Sequence, residues 1–226
     1  SNAETPARVR EHGRLFPLLI SQWRDRWGQG DFPFLYVQLP ALSREEWPRF
    51  RDGQRRTLGQ LKNLGMAITI DTGHPSNVHP TLKRPVGQRL ANWALGTTYS
   101  SDVPAPFTGP LVDTSKREGD SMVVSFKHVG DGLKSRDGEP IRHFEVRGKG
   151  GDFVSATATI TGKTTIEVSS PDVSEPQDAR YAWVPFPDPS VNLVNSVGLP
   201  ASPFSTENEG AIFSRRDTTD RPWKPH

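Results

Sequence analysis

Hydrophobic positions follow two different periods along this chain, and the change between them divides it. Over residues 8–27, Leu15, Phe16, Leu19, Ile20, Trp23 and Trp27 recur at three- and four-residue spacing, which predicts a helix with one buried face. Gly28 and Gly30 stand where such a helix can stop with positive φ, and FLYVQL at 34–39 then predicts a mostly apolar central strand. Ser43 and Glu46 have the spacing of a capping box, with Leu42 and Trp47 placed as a hydrophobic staple and Pro48 delaying the start. The helix they open is expected to run to about Leu64, with Phe50, Leu58, Leu61 and Leu64 on its apolar side and Gly65 as its stop. Residues 66–70 (MAITI), bounded by Gly65 and Asp71, predict a strand buried on both faces. Val86, Leu90, Trp93 and Ala94 mark a third helix starting near Pro85, where proline suits the first turn. Helix, strand, helix, strand, helix is the grammar of an α/β fold, a parallel sheet covered on both faces.

Past Leu95 the period becomes two. Residues 96–113 are rich in Pro, Gly, Ser and Thr and read as a connection. Alternating runs follow at 121–128, 143–147, 153–160, 164–168 and 180–184, separated by Gly130, Gly132, Gly148, Gly150, Gly151 and Gly162, which predicts an antiparallel β-sandwich. Residues 185–226 have little periodicity and are expected to wrap over other surfaces or to stay disordered.

Composition narrows the function classes. The 28 Lys and Arg against 26 Asp and Glu leave +2, with the two signs interspersed, so no basic stripe points to nucleic acid. No run approaches the roughly 20 apolar residues that cross a bilayer, and the first residues have neither the basic nor the apolar region of a signal peptide, which predicts a soluble chain without a membrane partner. The absence of cysteine removes disulfides, cysteine-based zinc sites and a thiol nucleophile, and is compatible with a reducing or an oxidising compartment.

Candidate chemistry gathers in DTGHPSNVHP at 71–80, the loop that leaves the strand at 66–70. Ligands of open parallel sheets collect beyond the carboxyl ends of the strands, so Asp71, His74, Asn77 and His79 are the first polar groups to consider. By residue type alone, His79 reads either as a catalytic group or as a surface or helix-capping histidine. His74 and Asp71 could join it around a metal, but two histidines and a carboxylate within one short loop have no recognised ligand spacing, and no metal or other cofactor is expected. GKGGD at 148–152 lies between two β-type runs and reads as a hairpin turn, since a phosphate cradle needs a following helix.

One resemblance extends this reading. Asp71, Thr72, Gly73, Val78, His79, Pro80, Lys83, Val86, Gly87, Arg89, Leu90, Ala91, Trp93, Ala94 and Leu95 stand in the order DTG....VHP..K..VG.RLA.WAL, which resembles the catalytic-histidine region of sialate O-acetylesterases, carbohydrate esterases of the SGNH-hydrolase superfamily. Similarity extends to LFPLLISQWRDRWGQGDFPFLYVQLP at 15–40, FEVRG, ATATITGKTTIEVSS and RYAWVPFPDPSVNLVNSVGLPASPF at 180–204. The resemblance implies a partial SGNH-type, flavodoxin-like three-layer α/β/α domain over residues 1–98, a β-sandwich-like accessory segment over 99–184 and an extended tail wrapping back over 185–226. It implies removal of acetyl esters from sugars by serine and histidine acyl transfer, with His79 as general base and an acetylated carbohydrate as substrate, sialic acid esters foremost.

Two departures from the family pattern carry expectations of their own. Where many of these enzymes have a carboxylate close before the histidine, this chain has Ser76 and Asn77. Either Asp71 or a backbone carbonyl near Asn77 is then the expected orienter of the imidazole. The segment that should carry the nucleophilic serine is missing; family members have a QGESNA-like block before the LFP helix, and this chain opens with SNA. Asn2 belongs to the oxyanion or substrate site if those residues are the tail of that block, and has no role if they are left from tag removal. The chain alone is expected to be inactive, with the missing N-terminal half of the enzyme, or another copy of itself, as its partner along an exposed strand edge. The resemblance implies action in the periplasm or outside the cell. The rival readings are a non-catalytic glycan-binding or packing β-module using Phe153, Tyr181 or Trp183, and an acetylxylan-type esterase.

Overall fold

The computed structural model describes residues 5–99 and 105–207. Helix α1 (Pro6–Trp27) starts where Thr5 caps it, its Oγ1 accepting the Arg8 N–H at 3.3 Å, and stops at Gly28 in the left-handed region at φ 63°. Its inward face differs from expectation. Phe16 and Ile20 turn to the core with Val9 and Gly13, but Leu15, Leu19, Trp23 and Trp27 stand 44%, 43%, 43% and 63% exposed. Arg24 is the buried member in their place: its guanidinium donates to the carbonyls of Phe32 at 2.7 Å and Lys62 at 2.9 Å, tying the helix end to the starts of both parallel strands.

Strands β1 (Phe34–Val37) and β2 (Leu64–Ala67) pair in parallel, Phe34 opposite Leu64 and Val37 opposite Ala67. The expected strand at 66–70 begins two residues earlier and ends at Ala67, because β1 ends at Val37 and leaves Ile68 and Ile70 no ladder partner, although both are buried. Helix α2 (Trp47–Thr57) is shorter than the helix expected to reach Leu64. Its last turn gives way to a turn through Gly59 and a left-handed Asn63 at φ 51°, which frees Leu64 to pair. Helix α3 (Arg84–Thr97) follows. Alternation along β1 puts Phe34 and Tyr36 against Phe16 of α1, with ring centroids 6.2 and 5.0 Å apart, and Leu35 on the opposite face beside Trp93 of α3. Helices therefore cover both faces of the small sheet. Among the described residues no helix is long and apolar enough to cross a membrane.

The second part is antiparallel. Strands β3 (Leu111–Glu118), β4 (Ser121–Lys127), β8 (Thr157–Ile160) and β9 (Thr165–Ser169) form one sheet in the order β3-β4-β9-β8. Strands β6 (Phe144–Arg147), β7 (Val154–Ser155), β10 (Asp178–Tyr181) and β12 (Phe204–Ser205) form another in the order β12-β10-β6-β7. A short pair joins β5 (Lys134–Ser135) to β11 (Leu193–Val194). The run at 153–160, expected as one strand, is two: β7 pairs with β6 and β8 with β9, so the chain passes from one sheet to the other at Ala156. β3 lies partly in the expected connection, and its charged, exposed sequence hides an edge strand from any apolar pattern.

One apolar cluster joins the two parts, running from Tyr36, Met66 and Ile68 through Phe126, Val146 and Ile166 to Phe204. A polar seam lies beside it. Arg51 of α2 is fully buried, donates to the carbonyls of Val184 and, at 3.1 Å, Pro185, and is pushed down by burial to a pKa of about 9. Gln38 donates to the Arg51 carbonyl at 3.2 Å and to Ser202 Oγ at 2.8 Å, and Arg56 donates to the carbonyls of Ser205 and Glu207. Residues 184–207 are thus held against α2 and the end of β1; the rest of the tail, residues 208–226, lies outside the described residues.

Candidate active site

The loops that leave β1 and β2 at their carboxyl ends lie against each other. The His74 N–H donates to the Ala41 carbonyl at 3.1 Å and the Ser43 N–H to the Pro75 carbonyl at 3.0 Å. At Gly73 an added Cβ would stand 2.0 Å from the Ala41 carbonyl oxygen, so only glycine permits this approach. Thr72 closes the turn before it, its N–H and hydroxyl both donating to the Thr69 carbonyl.

Asp71 opens the loop between two guanidinium groups. Arg89 of α3 donates to both of its oxygens, at 2.6 and 2.8 Å, and Arg136 to one of them at 3.2 Å. Burial pushes this carboxyl up, but the hydrogen bonds and charges of Arg89 and Arg136 together hold it below its ordinary value. Arg89 also donates to the Ile68 carbonyl at 2.6 Å, and Trp93 to the Met66 carbonyl at 2.9 Å. Four residues of helix span about 6 Å and two of extended chain about 6.6 Å, so residues 89 and 93 of α3 match alternate carbonyls at 66 and 68.

The rest of the loop is pinned by its own side chains. His74 Nδ1 accepts the backbone N–H of Ser76 at 3.2 Å and of Asn77 at 3.0 Å, so the neutral ring carries its proton on Nε2. Asn77 Oδ1 accepts the His79 N–H at 2.9 Å. His79 itself is exposed, flanked by exposed Val78 and Leu82, and among the described residues its imidazole makes no hydrogen bond. Four of the expected residues thus share one loop. Asp71 is bonded to the two arginines, Asn77 holds the backbone of His79, and the His79 imidazole stands exposed. Asn2 lies outside the described residues. Among the described residues no group of three or more His, Asp or Glu stands where it could hold a metal ion.

Pattern reading did not assign Arg89 or Arg136 to this loop. Arg89 had a signal, since it sits four residues before Trp93 on one helix face. Arg136 had none, because it follows β5 in the other part of the fold. In the β-rich part, Tyr181 is fully buried, the guanidinium carbons of Arg147 and Arg180 stand 4.8 and 4.1 Å from the Phe153 ring centroid, and Trp183 is half-buried.

No protein-family model and no curated protein matches the chain. Among solved structures, the chain matches the crystal structure of a carbohydrate acetylesterase from Xanthomonas citri with a TM-score of 0.84 and 34% identity, over 91% of this chain. The match covers 48% of the Xanthomonas chain, so this protein spans about half of its length and is similar to part of a carbohydrate acetylesterase.

Proposed function

We propose that this chain is one part of a carbohydrate O-acetylesterase and that His79 is its general base. The observation that supports this most is the match at 34% identity to part of a carbohydrate acetylesterase. In this reading the described residues of 1–98 belong to the carboxyl-terminal part of an SGNH-type three-layer domain, those of 99–184 to a β-sandwich-like accessory segment, and those of 185–226 to a tail returning to the first part. The nucleophilic serine comes from outside this chain. Its Oγ attacks the acetyl carbonyl while His79 takes its proton, and the proton then passes to the departing sugar oxygen. Water attacks the acetyl-serine with His79 again accepting a proton, and acetate leaves as the serine oxygen is reprotonated. An imidazole suits this work because it titrates near neutral pH. Asp71 acts by anchoring the loop to Arg89 and Arg136, while Asn77 sets the backbone from which the imidazole projects. The favoured substrates are sialic acid acetyl esters, and the favoured location is the periplasm or the cell exterior.

The test is acetate release from 4-nitrophenyl acetate, acetylated sialic acid and acetylated xylan. It compares the 226-residue chain alone with the same chain joined in one polypeptide to the unmatched half of the Xanthomonas esterase. The chain alone should release little, and the joined protein should turn over, with His79→Asn lowering kcat/KM by roughly 1,000-fold or more at unchanged far-UV circular dichroism. Full activity from the chain alone, or undiminished activity after His79→Asn, would overturn the reading.

A further inference from the structure

The span that carries His79 is fixed at its two ends by different means. Pro75 is held at one end, where its carbonyl accepts the Ser43 N–H at 3.0 Å, and Pro80 is buried at the other. Residues 76–79 between them are all exposed, so packing does little to set their path. Among the described residues, the hydrogen bonds of this span lead back to one ring. His74 Nδ1 accepts the N–H groups of Ser76 at 3.2 Å and Asn77 at 3.0 Å, and Asn77 Oδ1 in turn accepts the His79 N–H at 2.9 Å. His74 is itself held from behind, since its N–H donates to the Ala41 carbonyl at 3.1 Å. The local sequence accounts for the geometry. Pro75 disfavours helical backbone at His74, and from an extended residue a side-chain acceptor can turn forward onto the N–H groups two and three positions on, as in a helix cap. Asparagine, aspartate and serine are the usual acceptors in such turns; here an imidazole nitrogen takes their place.

We propose that His74 is the positioning residue of the candidate site. Its Nδ1 fixes the backbone of Ser76 and Asn77, and Asn77 passes that constraint to the backbone from which His79 projects. The ring acts as an acceptor, so its proton stays on Nε2, the nitrogen that neither N–H group reaches. A base must stand within hydrogen-bond reach of the proton it takes, and a displacement of about 1 Å can cost on the order of 100-fold in rate. This role rests on the reading of His79 as general base, because only then does the placement of that ring govern turnover. The placement itself is measured on the chain alone, without an esterase assay, so the two can fail separately.

The experiment is nuclear magnetic resonance on the 226-residue chain and two variants, at about pH 8, above the ordinary histidine range. His74→Asn keeps a side-chain acceptor, and His74→Phe keeps a planar ring without one. In the wild-type chain the Cα–H order parameters at Ser76, Asn77 and His79 should be about 0.85, the value of rigid backbone. Long-range 15N spectra should show His74 as the Nε2–H tautomer alone. His74→Phe should lower the order parameters at all three positions below about 0.6, with the resonances of β1, β2 and α3 unmoved, and His74→Asn should restore them. His79 is the telling position, because the His74 ring bonds only Ser76 and Asn77. A His79 that stays ordered in His74→Phe would overturn the proposal. So would a mobile His79 in the wild-type chain, an Nδ1–H tautomer at His74, or a loop that His74→Asn fails to restore, which would make the ring a packing group. An ordered loop that depends on His74, in a chain whose joined form shows no turnover, would leave the placement of His79 standing and count against the catalytic reading alone.

Discussion

Asp71 shows how a single buried side chain can fix the loop of a candidate site. Its carboxylate is nearly enclosed and clamped by Arg89 and Arg136, which hold its pKa in the folded chain below that of the unfolded chain. Around pH 4 the unfolded carboxyl takes up a proton that the folded one does not. The stability this cluster contributes is therefore complete above that range and is lost as pH falls through the folded-state value. Asp71→Asn should cost about 3 kcal/mol at pH 7, because it strands the Arg89 guanidinium. Urea titrations should show the gap to wild type closing as pH is lowered below the ordinary carboxylate range. A gap independent of pH would mean that the loss comes from packing. Residues 71–80 stand out in the sequence as a candidate site because polar groups follow an apolar strand, whereas the arginines that hold Asp71 come from distant stretches.

At the scale of elements, the join between α2 and the segment after β10 depends on Arg51. A planar guanidinium reaches two successive carbonyls, at Val184 and Pro185, inside an apolar setting. Arg51→Leu leaves the Val184 carbonyl unpaired and the Pro185 carbonyl with only the Leu42 N–H, and should cost about 2 kcal/mol, a fall in Tm of roughly 4–8 °C. Arg51→Lys should restore little of it, since an ammonium group lacks the fork. A loss below about 1 kcal/mol in calorimetry would show that water replaces these bonds. Helix periods were readable in α1 and α3, and two-residue periods in β4, β6, β9 and β10. The crossing at Ala156 was not readable, because a strand that changes sheet keeps its alternation while it changes partners.

For the whole molecule, the continuous apolar cluster from Met66 to Phe204 means that neither part can lose its core alone. Unfolding in urea should be a single cooperative transition. Emission dominated by Trp23, Trp27, Trp47 and Trp93 of the α/β part should coincide with the far-UV signal of the whole chain. Two separated transitions would show that the parts are held together by surface contacts rather than by a shared interior.

The sequence by itself determined the order and type of the main elements, since hydrophobic period is a local property, and it determined which loop holds the candidate chemistry. Only the tertiary structure decided which apolar face of α1 turns inward, where β1 and β2 stop, and which arginines meet Asp71. Those outcomes depend on what each residue finds opposite it, and a period of 3.6 or 2 records that a face is apolar without recording what covers it.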